Sequence, residues 1–118
     1  RYHDQSHGQS FFSVLMKQTN KNGLYLLDEP EAALSCQNQL ALLYLIQSCV
    51  KQNCQFIIAT HSPILLGFPG AQILSFDDGK VEEVDYKSTS SYQTMKLFLD
   101  RYDYFVKDIQ ENSDGGVL

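Results

Sequence analysis

Two short runs of apolar residues dominate the first half of the chain, and each is closed by polar residues. The first covers residues 24–27 and is followed directly by Asp28 and Glu29. The second covers residues 56–59, within a strand expected over residues 55–60, and His61 follows that strand. A short run that is apolar on both sides is typical of a parallel strand that is covered on both faces. We therefore predict two buried strands, each of which delivers polar side chains at its carboxyl end.

Helical periodicity marks the segments around these strands. Ser35 can cap a helix that runs to about Gln52. The apolar stripe of this helix consists of Leu42, Leu43, Leu45, Ile46, Cys49 and Val50. Another helix is expected over residues 8–18, and a short one after Pro63, because proline suits a first helical turn. The alternation of strands and helices predicts an α/β layer architecture with right-handed crossovers.

The second half of the chain has the pattern of a hairpin followed by a long helix. A strand is expected over residues 72–76, a turn over residues 77–79 and a return strand over residues 80–86. After a short polar linker, the residues from 92 to 109 have the aromatic-rich pattern of one helix.

Composition and charge narrow the class of protein. The chain has 118 residues, of which 43% are apolar, and this fits one small globular domain. The net charge of −5 argues against a free-standing nucleic-acid binder, but leaves DNA or another macromolecule open as a partner of a larger assembly. The three cysteines lack a C-x-x-C spacing and are expected to be reduced thiols. No apolar run has membrane-spanning length and no signal peptide is evident, so we expect a cytoplasmic protein.

The pair Asp28 and Glu29 is the first candidate for chemistry. It follows a predicted strand directly, and α/β sheets place ligands at the carboxyl ends of their strands. An aspartate in this position of P-loop NTPases helps to hold Mg²⁺, and a following glutamate can deprotonate an attacking water. Taken alone, the pair also fits a strand that simply ends in an acidic turn.

Two neighbouring segments favour the catalytic interpretation. Residues 30–35 resemble the D-loop of ABC ATPases, although Ser35 stands where the family usually has aspartate. Residues 57–62 resemble the H-loop, whose histidine contacts the γ-phosphate of ATP, and they carry His61 in that position. A lone histidine is more often structural, but this one ends the strand that follows the acidic pair.

The residues near the amino end resemble the signature motif of the same family. Ser6, Gly8 and Gln9 match the family pattern, whereas His7 replaces its first glycine and Gln5 its leucine. A serine hydroxyl, a glycine and the free N–H groups of a first helical turn form an anion-binding site. For Ser6 alone, an ordinary helix cap is the simpler interpretation.

The order and the spacing of these motifs are those of the family. The chain resembles the C-terminal half of an ABC-type, SMC-like P-loop ATPase domain from a group of bacterial predicted ATPases, over residues 3 to about 105. The resemblance implies a partial P-loop NTPase sheet of parallel strands, flanked by helices and followed by a hairpin and a helix. Residues 1–109 would then be the C-terminal portion of the ATPase domain, and residues 110–118 a flexible tail.

The resemblance also implies a site and its ligands, ATP and Mg²⁺. Asp28 would organise the metal, Glu29 would act as the base and His61 would contact the γ-phosphate. The signature residues would complete the ATP site of a second ATPase head in a homodimer. These residues are Ser6, Gly8 and Gln9.

The sequence contains no G-x-x-x-x-G-K-[ST] phosphate-binding loop. We therefore expect a missing N-terminal half that carries the P-loop, and a fragment that is inactive alone. In the family, the P-loop strand lies between the strand that ends at His61 and the strand near Ile73. Without it, the fragment is expected to be marginally stable or to self-associate through residues 56–60 or 72–76. The alternative function is a non-catalytic dimerisation or interaction module from a truncated or split ATPase.

Overall fold

The computed structural model describes residue 13 and residues 22–112 of the chain. The described residues form two compact units that divide between Ala71 and Gln72. The strands are β1 (Leu24–Asp28), β2 (Gln55–Ala59), β3 (Ile73–Ser75) and β4 (Glu82–Val84). The α-helices are α1 (Cys36–Val50), α2 (Ser90–Asp100) and α3 (Tyr102–Glu111). The α/β class predicted from the sequence is confirmed, whereas the helix expected over residues 8–18 lies outside the described residues.

The first unit is built on a parallel pair of strands joined by a helix. Strands β1 and β2 pair in register from Leu24 opposite Gln55 to Asp28 opposite Ala59, and α1 forms the connection between them. A parallel pair needs such a crossover because the chain must return to the starting edge of the sheet. The two apolar runs in the sequence therefore become strands, as predicted, and the structure shows that these strands are neighbours.

Side-chain hydrogen bonds fix both ends of the connection that α1 makes between β1 and β2. The Ser35 hydroxyl accepts a hydrogen bond from the backbone N–H of Asn38 at 3.1 Å, and this confirms the predicted cap of α1. After the helix, Asn53 adopts a left-handed backbone with φ of 68°. Its side-chain amide donates to Oδ1 of Asn22 at 2.7 Å, and Asn22 is also left-handed, with φ of 65°. The two turns that lead into β1 and β2 are thus held together.

The core of the first unit lies on one face of the two-stranded sheet. Helix α1 contributes the fully buried Leu42, with Ile46 beside it. The inward side chains of the strands pack against this cluster. They are Tyr25, Phe56 and Ile58.

The opposite face of the sheet is exposed. Leu24, Leu26 and Ile57 show 59%, 70% and 56% of their surface to solvent. The prediction that both strands are buried on both faces is therefore wrong, because α1 covers only one of the two faces. Every second residue of each strand remains uncovered.

The second unit begins with the predicted hairpin. Strands β3 and β4 pair antiparallel, with Ile73 opposite Val84 and Ser75 opposite Glu82. The turn between them places Asp78 and Gly79 at φ of 59° and 75°, a conformation that aspartate and glycine tolerate. The return strand is shorter than the predicted residues 80–86.

The helix predicted over residues 92–109 is two helices. Arg101 leaves the helical conformation, with φ of −118° and ψ of 34°, between α2 and α3. The ring of Phe98 lies 5.4 Å from that of Tyr102 and 5.9 Å from that of Phe105, between ring centroids, so aromatic contacts bridge the break. Helix α3 continues to Glu111, two residues beyond the predicted end.

Candidate functional site

The carboxyl ends of β1 and β2 lie side by side. Asp28 pairs with Ala59 in the ladder, and the next backbone N–H, that of Glu29, donates to the carbonyl of Ala59 at 2.7 Å. The segments that leave the two strands therefore start from the same edge of the sheet. The structure thus brings together the ends of the strands that carry Asp28, Glu29 and His61, which the sequence singled out separately.

Glu29 has an unusual backbone conformation for a residue with a side chain. Its φ of 48° and ψ of 55° are left-handed, which costs about 1–3 kcal/mol for a residue other than glycine. The N–H of Glu29 donates to Ala59, and the carbonyl of Glu29 accepts from the N–H of Ala32 at 3.1 Å. The buried Pro30 follows and opens a 3-10 turn, Pro30–Ala33. The chain therefore enters a tight turn at Glu29, directly after the end of β1.

Glu31 connects this turn to the end of β2. Its Oε1 accepts a hydrogen bond from the Thr60 hydroxyl at 2.5 Å, and its Oε2 accepts one from the backbone N–H of His61 at 3.0 Å. Burial of the carboxyl group raises its pKa, but the bonds from Thr60 and His61 outweigh this effect and leave the pKa of Glu31 below its ordinary value. Sequence reasoning missed Glu31, because no local pattern links residues 29 positions apart.

A second hydrogen-bonded connection, besides that of Glu31 with Thr60 and His61, joins Ser62 to Gln39. The buried Ser62 hydroxyl donates to Oε1 of Gln39 at 2.5 Å and accepts from the N–H groups of Ile64 and Leu65, both at 3.1 Å. The other end of the Gln39 amide donates to the carbonyl of Leu34 at 3.1 Å. Gln39 of helix α1 is therefore hydrogen-bonded both to Leu34, which follows the 3-10 turn, and to Ser62, which follows His61.

The segment after Pro63 is tighter than predicted. The chain forms a 3-10 turn at Leu65–Gly67 instead of a short α-helix, and the Ser62 hydroxyl accepts from the N–H of Leu65 at its start. The turn brings Leu65, which is 5% exposed, into the hydrophobic core. The residues that follow His61 are therefore anchored by a buried side chain.

We expect the first unit to lose stability in acid through Glu31. Its pKa is lower in the folded chain than the ordinary value of 4.5, so its contribution to folding is complete above that value and is lost as the pH falls through the folded-state pKa. Chemical unfolding at pH values between about 6 and 3 should therefore show a smaller acid-induced loss in Glu31→Gln than in the wild type.

The matched control is Glu82→Gln, since Glu82 is exposed on β4 and should leave the acid-induced loss unchanged. His61 is an ionisable group beside the Glu31 carboxylate. The acid-induced loss of stability is therefore also measured in His61→Ala, as a second reference. Equal pH dependence of the wild type and Glu31→Gln would contradict the expectation.

The carboxyl end of β1 carries an oxygen ligand of the kind that Mg²⁺ prefers. Mg²⁺ is commonly held by one or two carboxylates together with substrate phosphates and water, and Asp28 presents an exposed carboxylate at the edge of the sheet. Among residues 22–112, no group of three or more His, Cys, Asp or Glu side chains forms a metal cluster.

One set of predicted residues cannot be placed on this site. Ser6, Gly8 and Gln9, the expected signature residues, lie outside the described residues. In the described part of the chain, no helix combines the length and the apolar character needed to cross a membrane.

Comparison with known proteins gives the family of the chain. A model described as an AAA ATPase domain matches residues 8–66, which is half of the chain. An uncharacterized ABC transporter ATP-binding protein of Haemophilus influenzae (strain ATCC 51907 / DSM 11121 / KW20 / Rd) is 32% identical over 77 residues. That match covers 64% of this chain, but the chain spans only 29% of the length of the relative. Since the family match includes β1, α1, β2 and the polar segments at the ends of both strands, the chain belongs to the AAA ATPase domain family.

Proposed function

We propose that the chain forms part of an ABC-type ATPase head that binds Mg-ATP and hydrolyses it in a dimer of heads. The observation that carries this proposal is the register of β1 and β2, with Asp28 opposite Ala59. Because of this register, the pair Asp28 and Glu29 and the segment that carries His61 both begin at the same edge of a parallel sheet. That edge is where α/β folds bind nucleotides.

The residues divide the chemistry between them. Asp28 would hold Mg²⁺ together with the phosphates of ATP, and the metal would supply positive charge against the developing charge on the phosphoryl group. Glu29 would accept a proton from the attacking water. Because the left-handed turn is fixed by bonds to Ala59 and Ala32, the carboxylate of Glu29 starts from a defined backbone position.

His61 would contact the γ-phosphate from the neighbouring strand. The helix-terminal N–H groups near Ser6, Gly8 and Gln9 would bind the nucleotide held by the opposite head. The β- and γ-phosphates need a glycine-rich loop and its lysine, which these 118 residues do not contain. We propose that an N-terminal half of the same ATPase supplies that loop.

The chain alone is expected to show no turnover of ATP. Without a P-loop, nothing holds the reacting phosphate in line with a water activated by Glu29. The measurement is phosphate release by the purified chain with Mg-ATP, with Glu29→Gln prepared identically as the matched control. Turnover that persists through purification and disappears in Glu29→Gln would contradict the expectation.

A non-catalytic dimerisation module is the second candidate function. It is favoured by the exposed apolar face of Leu24, Leu26 and Ile57, since exposed apolar patches mark association surfaces. Sedimentation equilibrium of the chain and ATP turnover by the full-length protein separate the two functions. Association without any turnover in the full-length protein would favour the module, whereas turnover that depends on Glu29 would favour the ATPase.

A further inference from the structure

The backbone of His61 lies beyond the hydrogen-bonded ladder of the sheet. Strand β2 ends at Ala59, and the last ladder-like bond on this edge joins Ala59 to Glu29. The N–H of His61 donates instead to a side chain, the Oε2 atom of Glu31. The conformation that presents the imidazole therefore depends on a carboxylate from another part of the chain.

The same carboxylate holds the residue before the histidine. Oε1 of Glu31 accepts from the Thr60 hydroxyl, and that hydroxyl accepts in turn from the N–H of Ser62 at 3.0 Å. One charged group thus organises three consecutive residues, 60–62. Hydrogen bonds to an ionised carboxylate are about twice as strong as those between neutral groups, and the lowered pKa keeps Glu31 ionised at neutral pH.

Glu31 also belongs to the turn that begins at Glu29. It lies inside Pro30–Ala33, and its own carbonyl accepts from the N–H of Leu34 at 3.1 Å. A movement of this turn would therefore be transmitted to residues 60–62 through two hydrogen bonds. Neither segment can shift alone without breaking these hydrogen bonds.

We propose that Glu31 is a positioning residue that sets His61 relative to the acidic pair Asp28 and Glu29. This inference rests on the proposed ATPase function and assigns Glu31 a role that acts through His61. In this assignment Glu31 acts through its bonds to Thr60 and His61 and not on the water or the phosphate. Its removal should therefore lower kcat through a misplaced imidazole and leave nucleotide affinity nearly unchanged.

A double-mutant cycle in the full-length ATPase tests this assignment. The variants are Glu31→Ala, His61→Ala and the double variant, with Glu82→Ala as a control at an exposed glutamate of β4. We expect Glu31→Ala to lower kcat about tenfold with KM within about twofold, and to have less than about a twofold effect in the His61→Ala background. Glu31→Gln keeps one acceptor oxygen and should recover part of the rate.

Hydrogen–deuterium exchange supplies a readout that does not depend on catalysis. The peptide that contains His61 should exchange faster in Glu31→Ala than in the wild type, because its N–H has lost its acceptor. Peptides from α1 should exchange at the wild-type rate, which would exclude general unfolding. If Glu31→Ala does not fold, the same comparison is made with Glu31→Gln.

The outcomes separate this inference from the proposed function. An equal loss of kcat in both backgrounds, or unchanged exchange at His61, would overturn the positioning role of Glu31. Faster exchange at His61 together with a normal kcat for His61→Ala would support the connection and overturn the catalytic role proposed for His61.

Discussion

Glu29→Gln is expected to lower ATP hydrolysis by the full-length ATPase by a factor of about 10² to 10⁴, the usual contribution of a general base. Glutamine has nearly the shape of glutamate and can occupy the same left-handed position, with φ of 48°, but it cannot accept the proton of the water. Binding of Mg-ATP should be retained, because the proposed metal ligand is Asp28 and not Glu29. Steady-state turnover and equilibrium nucleotide binding measure the two effects separately.

The control for this prediction is Glu82→Gln, the same chemical change at an exposed position of β4. It should turn over ATP at the wild-type rate. A normal rate in Glu29→Gln would show that the base is another group. Loss of binding together with turnover would instead place Glu29 among the residues that hold the nucleotide.

Leu42→Ala is expected to destabilise the chain by about 2–5 kcal/mol, the range for truncation of a fully buried leucine. Leu42 is 0% exposed and belongs to the cluster that joins α1 to the sheet, together with Ile46 and Leu65. The truncation removes apolar contacts and leaves a cavity between the helix and the strands. Urea unfolding followed by circular dichroism gives the change in the free energy of unfolding.

Leu40→Ala is the matched control, since Leu40 lies on the same helix and is 51% exposed. Its substitution should change the free energy of unfolding by no more than about 0.5 kcal/mol. If the two variants are equally stable, Leu42 does not hold the helix on the sheet, and the described core is wrong.

The elements that the sequence predicted well are those with local causes. The apolar runs that end in polar residues became β1 and β2, and Ser35 caps α1 as its position suggested. Asp78 and Gly79 specify the hairpin turn because both accept a left-handed backbone. In each case the residues responsible lie within a few positions of the structure that they produce.

The features that could not be predicted depend on distant partners. Arginine is a good helix former, so nothing at Arg101 signals the break between α2 and α3. The exposure of Leu26 depends on what packs against its face of the sheet, which an apolar pattern does not reveal. The hydrogen bond that Glu31 accepts from Thr60 joins residues 29 positions apart. Candidate catalytic residues were thus easier to predict than the residue that we infer positions one of them.

The left-handed backbone of Glu29 affects which substitutions at this position would stabilise the chain. Glycine would adopt the same φ of 48° without steric cost, and asparagine with little. Selection for thermal stability alone would therefore favour replacing Glu29, and a stabilised variant obtained in that way would have lost the proposed base. A glutamate in this strained conformation is consistent with the catalytic role proposed for it.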